Sequence, residues 1–145
     1  MNSVIIRSAR EDDFEAVYHI NLSAFGYDYS KADTAKMLSY ILNKPNYRIF
    51  VAEADGLVVG YIHGSDYECT YNSPLKNILA LGVLPEYHGQ GLGRMLIEKL
   101  ENWAKEDGCS GVRLVSGYNR AEAHKFYLHC GYADRKNQKN FIKYF

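Results

Sequence analysis

The period of the apolar positions changes along this chain, and each change marks an element. "VIIR" at 4–7 predicts a short opening strand. Phe14, Val17, Tyr18, Leu22 and Phe25 then recur at helical spacing within "DDFEAVYHINLSAF", so a helix is expected there. Asp12, three residues before Glu15, offers a capping-box start. "GYDYSKAD" reads as a loop and "TAKMLSYIL" as a second helix, stopped by "NKP". From Tyr47 to Glu68 the pattern is that of two strands, with Asp55-Gly56 as a two-residue hairpin turn. "NILALGV" is a buried strand that stops before Pro85.

A second kind of pattern follows. From about Gly91 to Asp107 the residues Leu92, Leu96, Leu100, Trp103 and Ala104 share one helical face, and Gly108 supplies the stop. "GVRLVSG" predicts another buried strand, and "NRAEAHKFYLHCG" a helix from Asn119 to about Cys130. "YADR" and "NFIKYF" are expected as closing strands. The order βααβββαβαββ predicts an α/β fold: a mixed sheet with helices on both faces, in a single domain over 1–145.

Composition narrows the partners. With 145 residues, 47% of them hydrophobic, the chain can bury a real core. Lys plus Arg equals Asp plus Glu at 17 each, so no global field draws nucleic acid or an anionic membrane, and neither is expected as a partner. The longest apolar run, "ILALGVL", is far below membrane-spanning length, and "MNSVIIRSAR" is too weakly apolar for a signal peptide. Cys69, Cys109 and Cys130 cannot all pair, and the histidines lack metal-ligand spacing. Reduced thiols, a cytoplasmic setting and no metal are the expectation.

The chemistry-bearing stretch is "LGVLPEYHGQGLGRMLI", where Gly89, Gly91 and Gly93 open the long helix. A helix N-terminus presents unpaired N–H groups at its positive dipole end, and glycines let an anion approach them without meeting a Cβ. Residues His88, Gly89, Gln90, Gly91, Leu92, Gly93 and Arg94 therefore form a candidate pyrophosphate cradle; the alternative is a turn that merely needs flexible backbone. A dinucleotide fingerprint would need glycine where Arg94 or Leu96 stands, and the Gly-Lys-Ser/Thr of a Walker A loop is absent.

This stretch resembles the acetyl-CoA signature of the GNAT superfamily of N-acetyltransferases, with His88 at a position where Arg or Gln is usual, then Gly91 and Gly93. "NRAEAHKFYLHCGY" is similar to the family's second motif, with Asn119, Ala123, Phe126, Tyr127, Gly131 and Tyr132 in register up to one residue at the alanine. The resemblance implies a sheet splayed between its fourth and fifth strands and acetyl-CoA as co-substrate. The pantetheine arm would lie along Leu81, Gly82 and Val83, with Gly82 easing a bulge, and the pyrophosphate against residues 88–94. His88 leaves open whether its side chain meets phosphate.

The resemblance also assigns roles. Tyr127 is the candidate general acid for the departing thiolate, and Asn119 either contacts the cofactor arm or caps its helix. An amide near Val83 is the candidate oxyanion donor. Many family members carry a Glu near the position of Asn77; this chain has no carboxylate from Lys76 to Leu84, so no base is assigned among Asp66, Glu68 and His63. Tyr27, Asp28 and Tyr29 in the first interhelical loop suit a cationic acceptor. The expected activity is acetylation of a primary amine, on a small molecule or a protein, by direct attack in a ternary complex. The alternatives are a non-catalytic CoA-binding module and a transferase acting on charged tRNA. A homodimer paired through the C-terminal strand is also expected as possible.

Overall fold

Asp55 and Gly56 both have positive φ, 52° and 84°, which is the type I′ geometry that matches strand twist. The hairpin they close is the centre of the sheet, in a computed structural model that describes residues 3–145. β2 (Tyr47–Ala54) pairs antiparallel with β3 (Leu57–Cys69), and β3 with β4 (Asn72–Val83). β1 (Val4–Ser8) adds antiparallel to β2, and β5 (Val112–Leu114) adds parallel to β4, giving the order β1-β2-β3-β4-β5. Met1 and Asn2, where the predicted domain and its opening segment begin, lie outside the described residues.

Helices cover both faces of this sheet, and alternation along the strands explains why. On one face Val17 and Ile20 of α1 (Phe14–Ile20) and Leu38 of α2 (Lys31–Leu42) bury against Ile49, Val51 and Tyr61. On the other, α3 (Leu92–Glu106) lays Leu96, Leu100 and Trp103 over Gly60 and Gly64, whose missing side chains let the helix come close. Leu92, Leu96, Ile97 and Leu100 are all 2% exposed or less, each contributing roughly 1.5–3 kcal/mol of burial that fixes the helix start relative to β4. Among the described residues no helix is long and apolar enough to cross a membrane.

Several boundaries differ from the sequence expectation. The first helix opens with a 3₁₀ turn at Glu11–Asp13, and the carboxylate that reaches back is Asp13, bonding the Arg10 amide at 2.7 Å, not the predicted Asp12 with Glu15. It closes in a π-helical turn at Asn21–Phe25, before Gly26 with φ 74°. α2 starts at Lys31, earlier than predicted, because Ser30 caps it by accepting from the Asp33 amide at 3.1 Å. β4 starts at Asn72 and β5 is only Val112–Leu114.

The unit from Val115 to Phe145 contains α4 (Ala121–His129). Arg120 stands at its N-cap with no side-chain cap bond, so Asn119 does not cap the helix. Neither "YADR" nor "NFIKYF" forms a strand, and Phe141, Ile142, Tyr144 and Phe145 are exposed. The two-fold pairing expected of a C-terminal strand has no strand to rest on.

Asp13 offers a test of the helix entry. Burial alone would raise its carboxyl, but hydrogen bonds from Arg7 (2.9 Å) and the Arg10 amide, with the Arg7 charge, hold it below the ordinary carboxylate range. A depressed carboxyl contributes stability that is complete above its unfolded pKa of about 4 and is lost as pH falls through the folded value. Asp13→Asn should therefore lower urea stability at pH 7 by about 3 kcal/mol, leaving Arg7 short of a partner. The gap to wild type should close below pH 4; a pH-independent gap would contradict the ion-pair account.

Candidate active site

β4 presents an edge that β5 does not cover. The parallel ladder joins Lys76, Asn77 and Ile78 to Val112, Arg113 and Leu114, and ends there. The Leu84 amide donates to the Val59 carbonyl at 2.8 Å, so alternation makes Gly82 and Ala80 the residues that bond toward β3. Leu81 and Val83 then direct their N–H and C=O groups to the open edge. A bulge interrupts β4, but at Leu79, the extra residue between the Ile78↔Gly64 and Ala80↔His63 pairs. The expected link between the bulge and Gly82 is thus corrected by three residues along the chain.

Gly82 has a different reason to be glycine. An added Cβ would stand 2.9 Å from Phe25 Cζ, 3.0 Å from Ile20 Cγ2 and 3.3 Å from Ala24 Cβ. The π-helical turn is thereby seated on β4. It is also tied to β3, since Tyr61 Oη donates to Asn21 Oδ1 at 2.5 Å. Burial, with the nearby Tyr27, pushes the Tyr61 hydroxyl well above the usual tyrosine range, so it stays a donor. Gly82→Ala should cost about 1–3 kcal/mol of stability in urea denaturation through overpacking at this seat. An unchanged midpoint would mean that the turn yields freely and does not fix the loop after it.

Beyond β4, Pro85–Tyr87 form a 3₁₀ turn and His88 is extended. Gly89 and Gly91 follow with φ 77° and 80°, and nothing lies within 4 Å of a Cβ added at either. Gly91 is the N-cap of α3 and offers no side chain to the first turn. Helix geometry leaves the amides of Leu92, Gly93 and Arg94 without acceptors in their own helix. Leu92 is buried, while Gln90 is exposed and Arg94 lies 3.4 Å from Glu98 on the helix surface. The His88 side chain turns back: its Nε2 lies 2.9 Å from the Val83 carbonyl, so the ring occupies one of the groups on the open edge.

The base candidates separate. Asp66 is held at 2.6 Å by Lys76, which also holds Asp107 at 2.7 Å, so its carboxylate is committed to an ion pair. Glu68 is exposed at the strand end. His63 is pushed down to about 4 by burial, which makes it neutral and a weaker base than ordinary imidazole, and its Nε2 is buried without a partner among the described residues. Asp28 in the interhelical loop accepts from Tyr18 Oη at 3.1 Å, with Tyr27 and Tyr29 exposed on either side.

In the C-terminal unit Tyr127 is half-buried on α4, its ring 5.5 Å from Phe126 and 6.1 Å from Tyr132 between centroids. Burial raises its hydroxyl, Arg120 opposes this and Cys130 adds to it, for a net upward shift. Asn119 is exposed in the turn before α4. One residue the sequence reading passed over is Arg113, whose Nη1 donates to Asn77 Oδ1 at 2.5 Å and whose Cζ lies 4.4 Å from the Tyr67 ring centroid. A charge inside the apolar run "GVRLVSG" was its available signal.

The mixed sheet thus opens beyond the Ile78–Leu114 pair, with a glycine-lined helix mouth at the end of the open edge. Residues 14–132 match the Acetyltransferase (GNAT) family, and the chain belongs to that family. It is 35% identical over 134 residues to an uncharacterized N-acetyltransferase of Methanocaldococcus jannaschii, covering 92% of this chain and 80% of that one. It is 27% identical to the aminoalkylphosphonate N-acetyltransferase of Salmonella typhimurium, covering 88% and 83%. In fold it is similar to an aminoglycoside N-acetyltransferase solved in complex with CoA, with TM-score 0.88, 18% identity and coverage of 99% and 96%.

Proposed function

We propose that the chain acts throughout as one acetyltransferase domain that moves the acetyl group of acetyl-CoA to a primary amine by direct attack within a ternary complex. The observation that carries this reading is the uncovered edge of β4, which runs from the Ile78–Leu114 pair to the glycine cradle. The fit to the nucleotide follows from the cradle itself, where a Cβ at Gly89 or Gly91 would fill open space in front of unpaired amides. Bound there, acetyl-CoA supplies an activated acyl group as a thioester.

The chain's own groups do the rest. The amides of Gly89 to Arg94 take the pyrophosphate, that of His88 being held by the Pro85 carbonyl at 3.1 Å. Main-chain groups of Leu81 and the Val83 amide take the arm, since the Val83 carbonyl meets His88 Nε2. A main-chain amide of the open β4 edge, between Ile78 and Val83, donates to the tetrahedral oxyanion. Tyr127, kept protonated by its raised pKa, gives a proton to the departing sulfur, and Asn119 contacts the arm. The acceptor must lose a proton before it attacks, and Asp28 with its flanking tyrosines suits the cationic form that arrives. The free cysteines fit a reducing, cytoplasmic setting.

Calorimetry with acetyl-CoA and an amine panel scored by CoA release tests this. Binding with turnover of at least one primary amine is expected. Binding without turnover on a broad panel would favour a non-catalytic CoA-binding module, and no binding at all would overturn both.

A further inference from the structure

Two cations of the sheet, half-buried Arg7 and buried Lys76, carry their counter-ions with them. Arg7 has Asp13 at 2.9 Å and Glu53 at 3.2 Å, and Lys76 has Asp66 and Asp107. Arg113 differs. It is half-buried, its partners are a neutral amide and a ring face, and it joins none of the ion pairs among the described residues. Withdrawing a charge from water without a counter-ion is costly, and Asn77 and Tyr67 orient the guanidinium without cancelling its charge. A guanidinium has five N–H donors in a planar fork; Asn77 uses one, and Tyr67 covers a face of the plane while leaving its edge.

The position gives this charge a purpose. Arg113 and Asn77 are register partners one residue before the ladder ends at Ile78–Leu114. With the pyrophosphate beyond Val83 and the arm running back along β4, the reacting end falls beside that fork. Asn77 is paired with Ser65, so both it and Arg113 lie on the same face as Tyr61 and His63, the face that carries α1, α2 and the Asp28 loop. An acceptor approaching there meets a carboxylate in the loop and an unneutralised guanidinium at the fork.

We propose that Arg113, oriented by Asn77 and Tyr67, binds an anionic group of the acceptor, so that the substrate is an amine bearing a carboxylate or a phosphonate. This rests on the acetyl-transfer reading and adds the acceptor's charge to it.

Two arms test it on the full chain. In the first, kcat/KM is compared for propylamine, 3-aminopropanoate and 2-aminoethylphosphonate, each corrected for the fraction of free amine. The acid-bearing acceptors should be preferred by roughly 10–100-fold, the scale of a charge-assisted pair. Arg113→Met should erase the preference while leaving acetyl-CoA affinity unchanged, and Arg113→Lys, which keeps the charge but not the fork, should retain part of it. A preference for propylamine, or one that survives Arg113→Met, overturns the proposal. The second arm needs no turnover: ethylphosphonate, titrated by NMR, should bind wild type saturably and fail to bind Arg113→Met, with Arg113→Lys intermediate. Absence of saturable binding, or binding indifferent to residue 113, overturns the site even if acetyl transfer stands. Binding that depends on Arg113 in a chain that binds no acetyl-CoA would sustain the anion site and sink the transfer reading.

Discussion

Gly91→Val is expected to weaken acetyl-CoA binding about 100-fold or more while the protein stays folded. Gly91 has φ 80° and ψ 8° at the N-cap of α3, in the left-handed region that a β-branched residue adopts only with strain. Nothing in the protein lies within 4 Å of the added Cβ, so the substitution costs about 1–2 kcal/mol of backbone strain and no clash. The helix is anchored independently by Leu92, Leu96 and Leu100, each 2% exposed or less. On the proposed reading the new side chain fills the anion's approach to the amides of Leu92, Gly93 and Arg94. Losing two charge-assisted bonds of about 1.5–3 kcal/mol each sets the expected scale. Gly91→Asn separates the causes, because Asn tolerates the left-handed region yet still obstructs the approach. Calorimetry gives the affinities and far-UV circular dichroism the fold. A folded Gly91→Val protein that binds acetyl-CoA within threefold of wild type would remove the cradle from the site.

The glycine-opened mouth of α3 was legible because its cause is local. Glycines at alternate positions before an amphipathic helix can be read from spacing alone, as can the Asp55-Gly56 turn and the buried face of α3. What escaped depends on partners distant in sequence. Asp13, not Asp12, sets the first helix because Arg7 on β1 holds it there. The sequence left the role of the His88 side chain open, and its contact with the Val83 carbonyl depends on a fold that brings it back to β4. Arg113 drew no reading from the sequence; only beside the ion pairs of Arg7 and Lys76 does its lack of one stand out. Ser30 is a different failure: its cap on α2 is a local signal, Ser followed at the third position by Asp, hidden in a stretch read as loop. The closing strands failed because alternation alone supplies no neighbour to pair with.

Tyr127→Phe is expected to separate chemistry from binding. The change removes one hydroxyl and leaves the ring contacts with Phe126 and Tyr132, so the fold of the C-terminal unit and acetyl-CoA affinity should persist. Burial raises the Tyr127 hydroxyl, so across neutral pH it is a protonated donor and not a phenolate. If that proton goes to the departing thiolate, the help arises only in the transition state. Turnover should then fall by about 10²–10⁴-fold without a matching change in cofactor affinity, provided thiolate departure limits the rate. Pre-steady-state CoA release identifies the limiting step, and calorimetry gives the affinity. With the chemical step limiting, a turnover effect below about twofold would return Tyr127 to a packing role and leave the sulfur to take its proton from solvent or the acceptor's own ammonium.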